Sequence, residues 1–182
     1  MNIPEDINAD ITPRDFELLV RDYLIQQGQP LKSFVATHDI KLECTDGEYQ
    51  IDVYAEFEYL GAVFKVLVEC KRYTSKIKRE TVQILYDKLR AIGAQKGMLF
   101  ATSGFQEGAR SYAEAHGIAL IRVIEGRFTY STKAEGAQQF VRPPWHDGPK
   151  YMGEFRRGNT VSYLQKGYFE ELTTFLFDSP EY

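Results

Sequence analysis

The stretch Gln50-Ile51-Asp52-Val53-Tyr54-Ala55-Glu56-Phe57-Glu58-Tyr59-Leu60-Gly61-Ala62-Val63-Phe64-Lys65-Val66-Leu67-Val68-Glu69-Cys70-Lys71 holds two alternating runs around a Leu60-Gly61 turn. Side chains on a strand alternate between faces, so a slip of one residue would carry every apolar side chain to the wrong side of a sheet. Pairing away from the turn sets Phe57 against Phe64, Ala55 against Val66, Val53 against Val68 and Ile51 against Cys70, an unbroken apolar face. On the reverse face Glu56 meets Lys65 as an ion pair. There too Asp52 stands opposite Glu69, with Lys71 two residues along on Glu69's side.

Two carboxylates facing each other across a ladder have β-carbons only about 4.5–5.5 Å apart and destabilise the sheet unless positive charge lies between them. A hard divalent ion such as Mg²⁺, with Mn²⁺ as a substitute, takes oxygen ligands and keeps several waters. Asp52 and Glu69, with the Cys70 carbonyl, therefore make an open metal site whose hydration shell supplies a nucleophile. Lys71 is placed to orient or deprotonate the attacking water, or to neutralise charge on a phosphoryl oxygen. The plainer alternative is a set of structural ion pairs, Lys71 with Glu69 and, through an Asp46-Gly47 hairpin, Lys41 with Asp52.

Upstream, Thr12-Pro13-Arg14-Asp15 reads as an N-cap, a proline at the first helical position and an acid three residues past the cap. Phe16, Leu19, Val20, Tyr23 and Leu24 then recur at helical spacing, with Gly28 as the stop. Extended segments are expected at 33–44, 49–58 and 63–71. Downstream, Val82, Leu85, Leu89 and Ile92 mark a helix over 78–92 that ends at Gly93; a strand at 98–102, a helix at 105–116 and a strand at 118–124 follow. This α-β-β-β-α-β-α-β order predicts an α/β fold, a mixed sheet flanked by helices. Residues 1–130 form its expected domain. Residues 131–182 read as a C-terminal extension: 131–139 is polar and small, Arg142-Pro143-Pro144-Trp145 opens a turn-rich tract, and Val161, Leu164, Tyr168, Leu172 and Phe175 approximate the spacing of a docked helix or dimer contact.

At 182 residues with 43% hydrophobic and 26% charged residues, the chain has the composition of a globular domain with a modest appendage rather than a disordered one. No run approaches the roughly 18 apolar residues of a membrane helix, and Met1-Asn2-Ile3-Pro4-Glu5-Asp6 lacks a basic, then apolar, leader. Cys44 and Cys70 form no Cys-x-x-Cys, and the three histidines are scattered, so neither a disulfide framework nor a zinc knuckle is indicated. A protein of the cytoplasm is the expectation. The net charge of −4 argues weakly against nucleic acid, but its distribution reverses that. Over 65–90 there are eight basic residues against three acidic, a local +5, and the remainder carries −9. Arg72, Lys76, Lys78 and Arg79 sit directly beside the carboxylate pair, joining a divalent-ion site to phosphate attraction.

At this point the sequence resembles the Mrr-type restriction endonucleases, within the nucleases whose signature is an Asp, a spacer and Asp/Glu-x-Lys. The ordered blocks that carry the resemblance are Phe16-Glu17, Gln50-Ile51-Asp52-Val53, Val68-Glu69-Cys70-Lys71-Arg72-Tyr73, Val82-Gln83, Thr102-Ser103-Gly104-Phe105, Ala109-Arg110 and Tyr112-Ala113. The resemblance implies a restriction-endonuclease-like αβββαβ core that hydrolyses DNA phosphodiesters with Mg²⁺ in defence against foreign or modified DNA, with repair as an open alternative. Asp52 and Glu69 would ligate metal, and Lys71 would act on the water. Glu17 would be an extra acid from the first helix and Gln83 a polar helix residue beside the site. Ile51 stands where the broad signature has proline. One such centre cuts one strand, so a homodimer or two visits would complete a double-strand break.

Other residues carry two readings. Thr102-Ser103-Gly104 suits a helix cap and turn, or an anion site at helix-end amides. His38 shares the apolar row of Ile40 and Leu42, and His116 sits at a helix end; neither reads as a ligand. The Cys70 thiol faces the core. The rival to the nuclease is a catalytically silent module of the same fold that binds nucleic acid or a partner protein.

Overall fold

The computed structural model describes residues 11–125, 151–157, 160–164 and 170–177. Helix α1 (Pro13–Gly28) is followed by strands β1 (Lys32–Cys44), β2 (Gly47–Tyr59) and β3 (Ala62–Lys71), helix α2 (Arg79–Ile92), strand β4 (Lys96–Ala101), helix α3 (Glu107–Ala115) and strand β5 (Ile118–Glu125). Strands β6 (Tyr151–Arg157) and β7 (Thr160–Leu164) and helix α4 (Glu170–Phe177) complete the described elements. The strands form one sheet in chain order, β1 to β7. Pairing is antiparallel from β1 to β3, parallel from β3 to β5 and antiparallel again to β7. The expected α/β fold with a mixed sheet flanked by helices is therefore the one observed. None of the described helices is long and apolar enough to cross a membrane.

Local chemistry explains the element ends. Thr12 caps α1 by accepting the Asp15 N–H at 3.1 Å, and Pro13 occupies the first turn, where a missing N–H costs nothing. Gly93 ends α2 in the left-handed conformation, φ 67°, with its N–H turned back to the Arg90 and Leu89 carbonyls. Gly97 lets α2 settle on β4, because a Cβ there would lie 2.6 Å from Leu89 Cδ1.

Two cores lie on opposite faces of the sheet. Phe16, Val20 and Leu24 of α1 bury Val53, Ala55, Val66, Val68 and Met98, while Val82, Leu85 and Leu89 of α2 and Ala109 and Ala113 of α3 bury Leu67, Leu99 and Ala101. Each fully buried Leu or Val contributes about 1.5–3 kcal/mol. Phe175 and Leu176 join the first core, and Phe177 touches Phe57 and Tyr59 with ring centroids 5.9 and 4.5 Å apart.

The expected β2–β3 register is present from Tyr59–Ala62 to Val53–Val68, with one departure. Ile51 packs in the α2/α3 core and Cys70 in the α1 core, so the apolar face is not unbroken. The cause is a face switch shared by β1 and β2. On β1, Phe34 and Ala36 pack with the α1 core but Ile40 and Leu42 with the α2/α3 core; between them Asp39 adopts φ 52°. On β2 the switch falls at Asp52, between the His38–Val53 and Ile40–Ile51 pairs. His38 is thereby removed from the row of Ile40 and Leu42.

Three further differences are small in extent. Lys41 pairs with Gln50 rather than Asp52, because Cys44 pairs with Gly47 at the hairpin end, and its Nζ bonds Glu48 at 2.7 Å. Glu56 and Lys65 are register partners, but Glu56 takes the Tyr54 hydroxyl at 2.9 Å and forms no ion pair with Lys65. Val161 and Leu164 lie on strand β7, not on a helix. The tracts at 131–139 and 142–149 lie outside the described residues.

Candidate active site

The face switch at Asp52 builds the site. The β2–β3 ladder stops at Val53–Val68, and beyond it the Cys70 N–H is accepted by the Asp52 carboxylate, Oδ2 at 2.7 Å. A backbone donor that the strand can no longer satisfy thus fixes an acid at the opening of the hairpin. Glu69 lies on the same side of β3 as Leu67, toward α2, and is 7% exposed. Lys71 Nζ contacts Glu69 Oε1 and stands 3.8 Å from Asp52 Oδ2. The two carboxylates therefore converge on one cationic centre.

Burial, and next the Glu69 charge, push the Asp52 pKa up, against the Cys70 N–H and the Lys71 ammonium, which pull it down; Glu17 adds to the rise. For Lys71, burial works against the charged form, but the Glu69 carboxylate and its hydrogen bond, with Asp52, outweigh it and raise the pKa. The ammonium is accordingly the form present at neutral pH. Burial, then the Asp52 charge, push the Cys70 thiol well up, and it lies in the α1 core, so its sulfur is inert and only its backbone belongs to the site.

Glu17 projects from α1 and bonds His38 Nε2 at 2.6 Å; His38 lies before the face switch, in step with Phe34 and Ala36 on the α1 side. Gln83 is exposed on α2 and makes no hydrogen bond among the described residues. The α2 side chain that reaches the carboxylates is Lys88, whose Nζ lies 3.0 Å from both Glu69 Oε2 and the Gln50 carbonyl. In the sequence Lys88 is one charge of the basic stretch 65–90. Its place between Leu85 and Leu89, at the border of the buried stripe, was the available signal.

The basic loop after Lys71 is pinned from beneath. Thr102 Oγ1 donates to the Tyr73 carbonyl at 3.0 Å and Ser103 Oγ to the Ser75 carbonyl at 2.7 Å. These hydroxyls do not cap α3, whose N-cap is Gln106. Buried Ile77 pairs with Phe105. Lys76, Lys78 and Arg79 are left exposed and Arg72 half-buried, and the Arg79 guanidinium sits 4.9 Å from the Tyr112 ring centroid.

No three His, Cys, Asp or Glu side chains among the described residues form a metal cage. Two carboxylates converging on a shared cation nevertheless fit a hard divalent ion that retains waters, with Lys71 Nζ showing that one positive centre reaches both.

The catalytic-domain model of the Mrr family, described as a restriction endonuclease, matches residues 8–125. The type IV methyl-directed restriction enzyme EcoKMrr of Escherichia coli (strain K12) is 30% identical over 114 residues, covering 61% of this chain and 35% of that protein. The chain thus spans about a third of the length of this curated relative. Among solved structures, AF1548, a protein of unknown function, gives a TM-score of 0.47 at 20% identity over 58% of this chain and 56% of its own. Can2 from Sulfobacillus thermosulfidooxidans, in complex with cyclic tetra-adenylate, gives 0.47 at 23% identity over 59% of this chain and 32% of its own.

Proposed function

Because this chain belongs to the Mrr-type restriction endonuclease family, we propose that it is a Mg²⁺-dependent DNA endonuclease acting in restriction of foreign or modified DNA. The observation that carries the reading is the convergence of Asp52 and Glu69 on the Lys71 ammonium at the open end of the hairpin. A divalent ion held there would supply Lewis-acid activation and stabilise charge on the leaving oxygen. Asp52 and Glu69, with the Cys70 carbonyl, would hold it. Lys71, kept protonated by its two acidic neighbours in the metal-free protein, orients the attacking water and neutralises a phosphoryl oxygen. Glu17 adds negative charge from the α1 side, and Gln83 faces the DNA from α2. Arg72, Lys76 and Lys78, on a loop whose backbone is already fixed, and Arg79 at the start of α2 hold phosphates without a backbone ordering cost.

Residues 1–130 form the catalytic domain in this reading and 131–182 an extension; two protomers acting together would cut both strands. The cytoplasm is the proposed setting, in keeping with two free cysteines. The silent-module reading has one observation in its favour, that both Glu69 oxygens already carry ammonium partners. Plasmid cleavage separates the two. The chain with Mg²⁺ should nick or cut modified or unmodified plasmid, and Asp52→Ala should not; no cleavage of any plasmid with Mg²⁺ or Mn²⁺ contradicts the nuclease.

A further inference from the structure

Lys88 is not a surface charge. Its side chain is 16% exposed and that of Glu69 9%, and its ammonium joins α2 to the carboxylate of β3 and to the Gln50 carbonyl of β2, each at 3.0 Å. Asp52 and Glu69 bring two negative charges, and Lys71 and Lys88 return two positive ones. The carboxylate pair is therefore already neutral, and Glu17, bonded to His38, leaves the neighbourhood only slightly negative. Buried like charges without counter-ions would call strongly for a cation; this pair does not. A divalent ion entering alone raises the local charge by two, whereas one entering with a phosphodiester raises it by only one.

We propose that Lys88 is the second counter-ion of Glu69, a positioning residue that holds the carboxylate toward the site while weakening its grip on free metal, so that metal and DNA bind cooperatively. The inference rests on the nuclease reading and adds to it the order of events: the metal is captured with the substrate, not before it. Coupling of this kind is reciprocal, so DNA should bind more tightly with metal by the same factor that metal binds more tightly with DNA. Because Lys88 also fastens α2 to β2, its charge and its anchoring must be separated, and Arg keeps the first while Gln removes it.

The test is Mn²⁺ binding to the full chain, followed by calorimetry with and without a short DNA duplex at low temperature. Wild type should bind Mn²⁺ weakly alone and on the order of tenfold more tightly with the duplex, the scale of one unit charge at a partly buried site. Lys88→Gln should bind Mn²⁺ alone about tenfold more tightly than wild type and show a reduced gain from DNA, and Lys88→Arg should behave as wild type. Affinity in Lys88→Gln equal to or below that of wild type overturns the proposal, as does a wild-type affinity indifferent to DNA, which needs no variant to fold. Absence of Mn²⁺ binding in every protein, with or without DNA, removes the nuclease reading itself and is distinguishable from both.

Discussion

The β2–β3 hairpin carries charged residues toward both of its ends, and the two sets behave differently. Toward the turn, Glu56 and Lys65 are half-buried register partners that make no ion pair; Glu56 is satisfied by the Tyr54 hydroxyl. Toward the open end, Asp52, Glu69, Lys71 and Lys88 interlock, and Asp52 titrates high because burial and Glu69 disfavour its charge. The hairpin therefore leaves charge loosely paired near the turn and, with Lys88 of α2, gathers two carboxylates and two ammonium groups where the ladder ends. Stability alone would not select the second arrangement, since desolvating a buried cluster of ion pairs costs about as much as their mutual attraction returns. In the proposed nuclease this cluster, at the point where β2 changes face, has its role as the metal site.

The contrast breaks most visibly in catalysis. Asp52→Ala or Lys71→Ala should lower Mg²⁺-dependent plasmid cleavage by on the order of 10²–10³ or more, with native circular dichroism, whereas Glu56→Ala should leave the rate intact. Val68 is fully buried and pairs with Val53 where the regular ladder meets the site. Val68→Ala should cost about 2 kcal/mol in urea unfolding and loosen both ends together in hydrogen exchange.

Asp52→Asn sharpens the contrast from the opposite direction. The folded pKa of Asp52 lies above the ordinary 3.8, so its contribution to stability is fully present below 3.8 and is lost as pH rises through the folded value. At neutral pH, Asp52→Asn should therefore stabilise the metal-free protein, by about 1 kcal/mol, and flatten its stability over the window just above pH 3.8. Thermal melts across that window check it; a destabilised Asn variant at neutral pH would contradict the charge argument. The smallest effect belongs to the turn side. Glu56→Gln or Lys65→Gln should shift stability by less than about 0.5 kcal/mol, measured by the urea midpoint.

Side-chain alternation made the hairpin register legible, because only one pairing sets Phe57 on Phe64 and Val53 on Val68, and the same register brought Asp52 and Glu69 to one end. Helix caps and stripes located α1, α2 and α3 to within about two residues, the usual fraying of such ends. The face switch was not legible. It turns on a single left-handed residue, Asp39, which leaves no periodic trace, and it turns Ile40 and Leu42 away from the side of His38 and parts Ile51 from Cys70. Lys88 was hidden for a related reason: a lysine at the border of an apolar stripe has the same sequence signature whether its ammonium reaches water or a carboxylate. Strand β7 was mistaken for helix because five residues are too few for the two periods to separate.

The most direct measurement is calorimetric titration of Mn²⁺ into the full chain with a DNA duplex present, comparing wild type with Asp52→Asn and Glu69→Gln. Saturable binding by wild type that either substitution abolishes, with all three proteins folded, is the expected result. Equal binding by all three would mean that these carboxylates hold no metal.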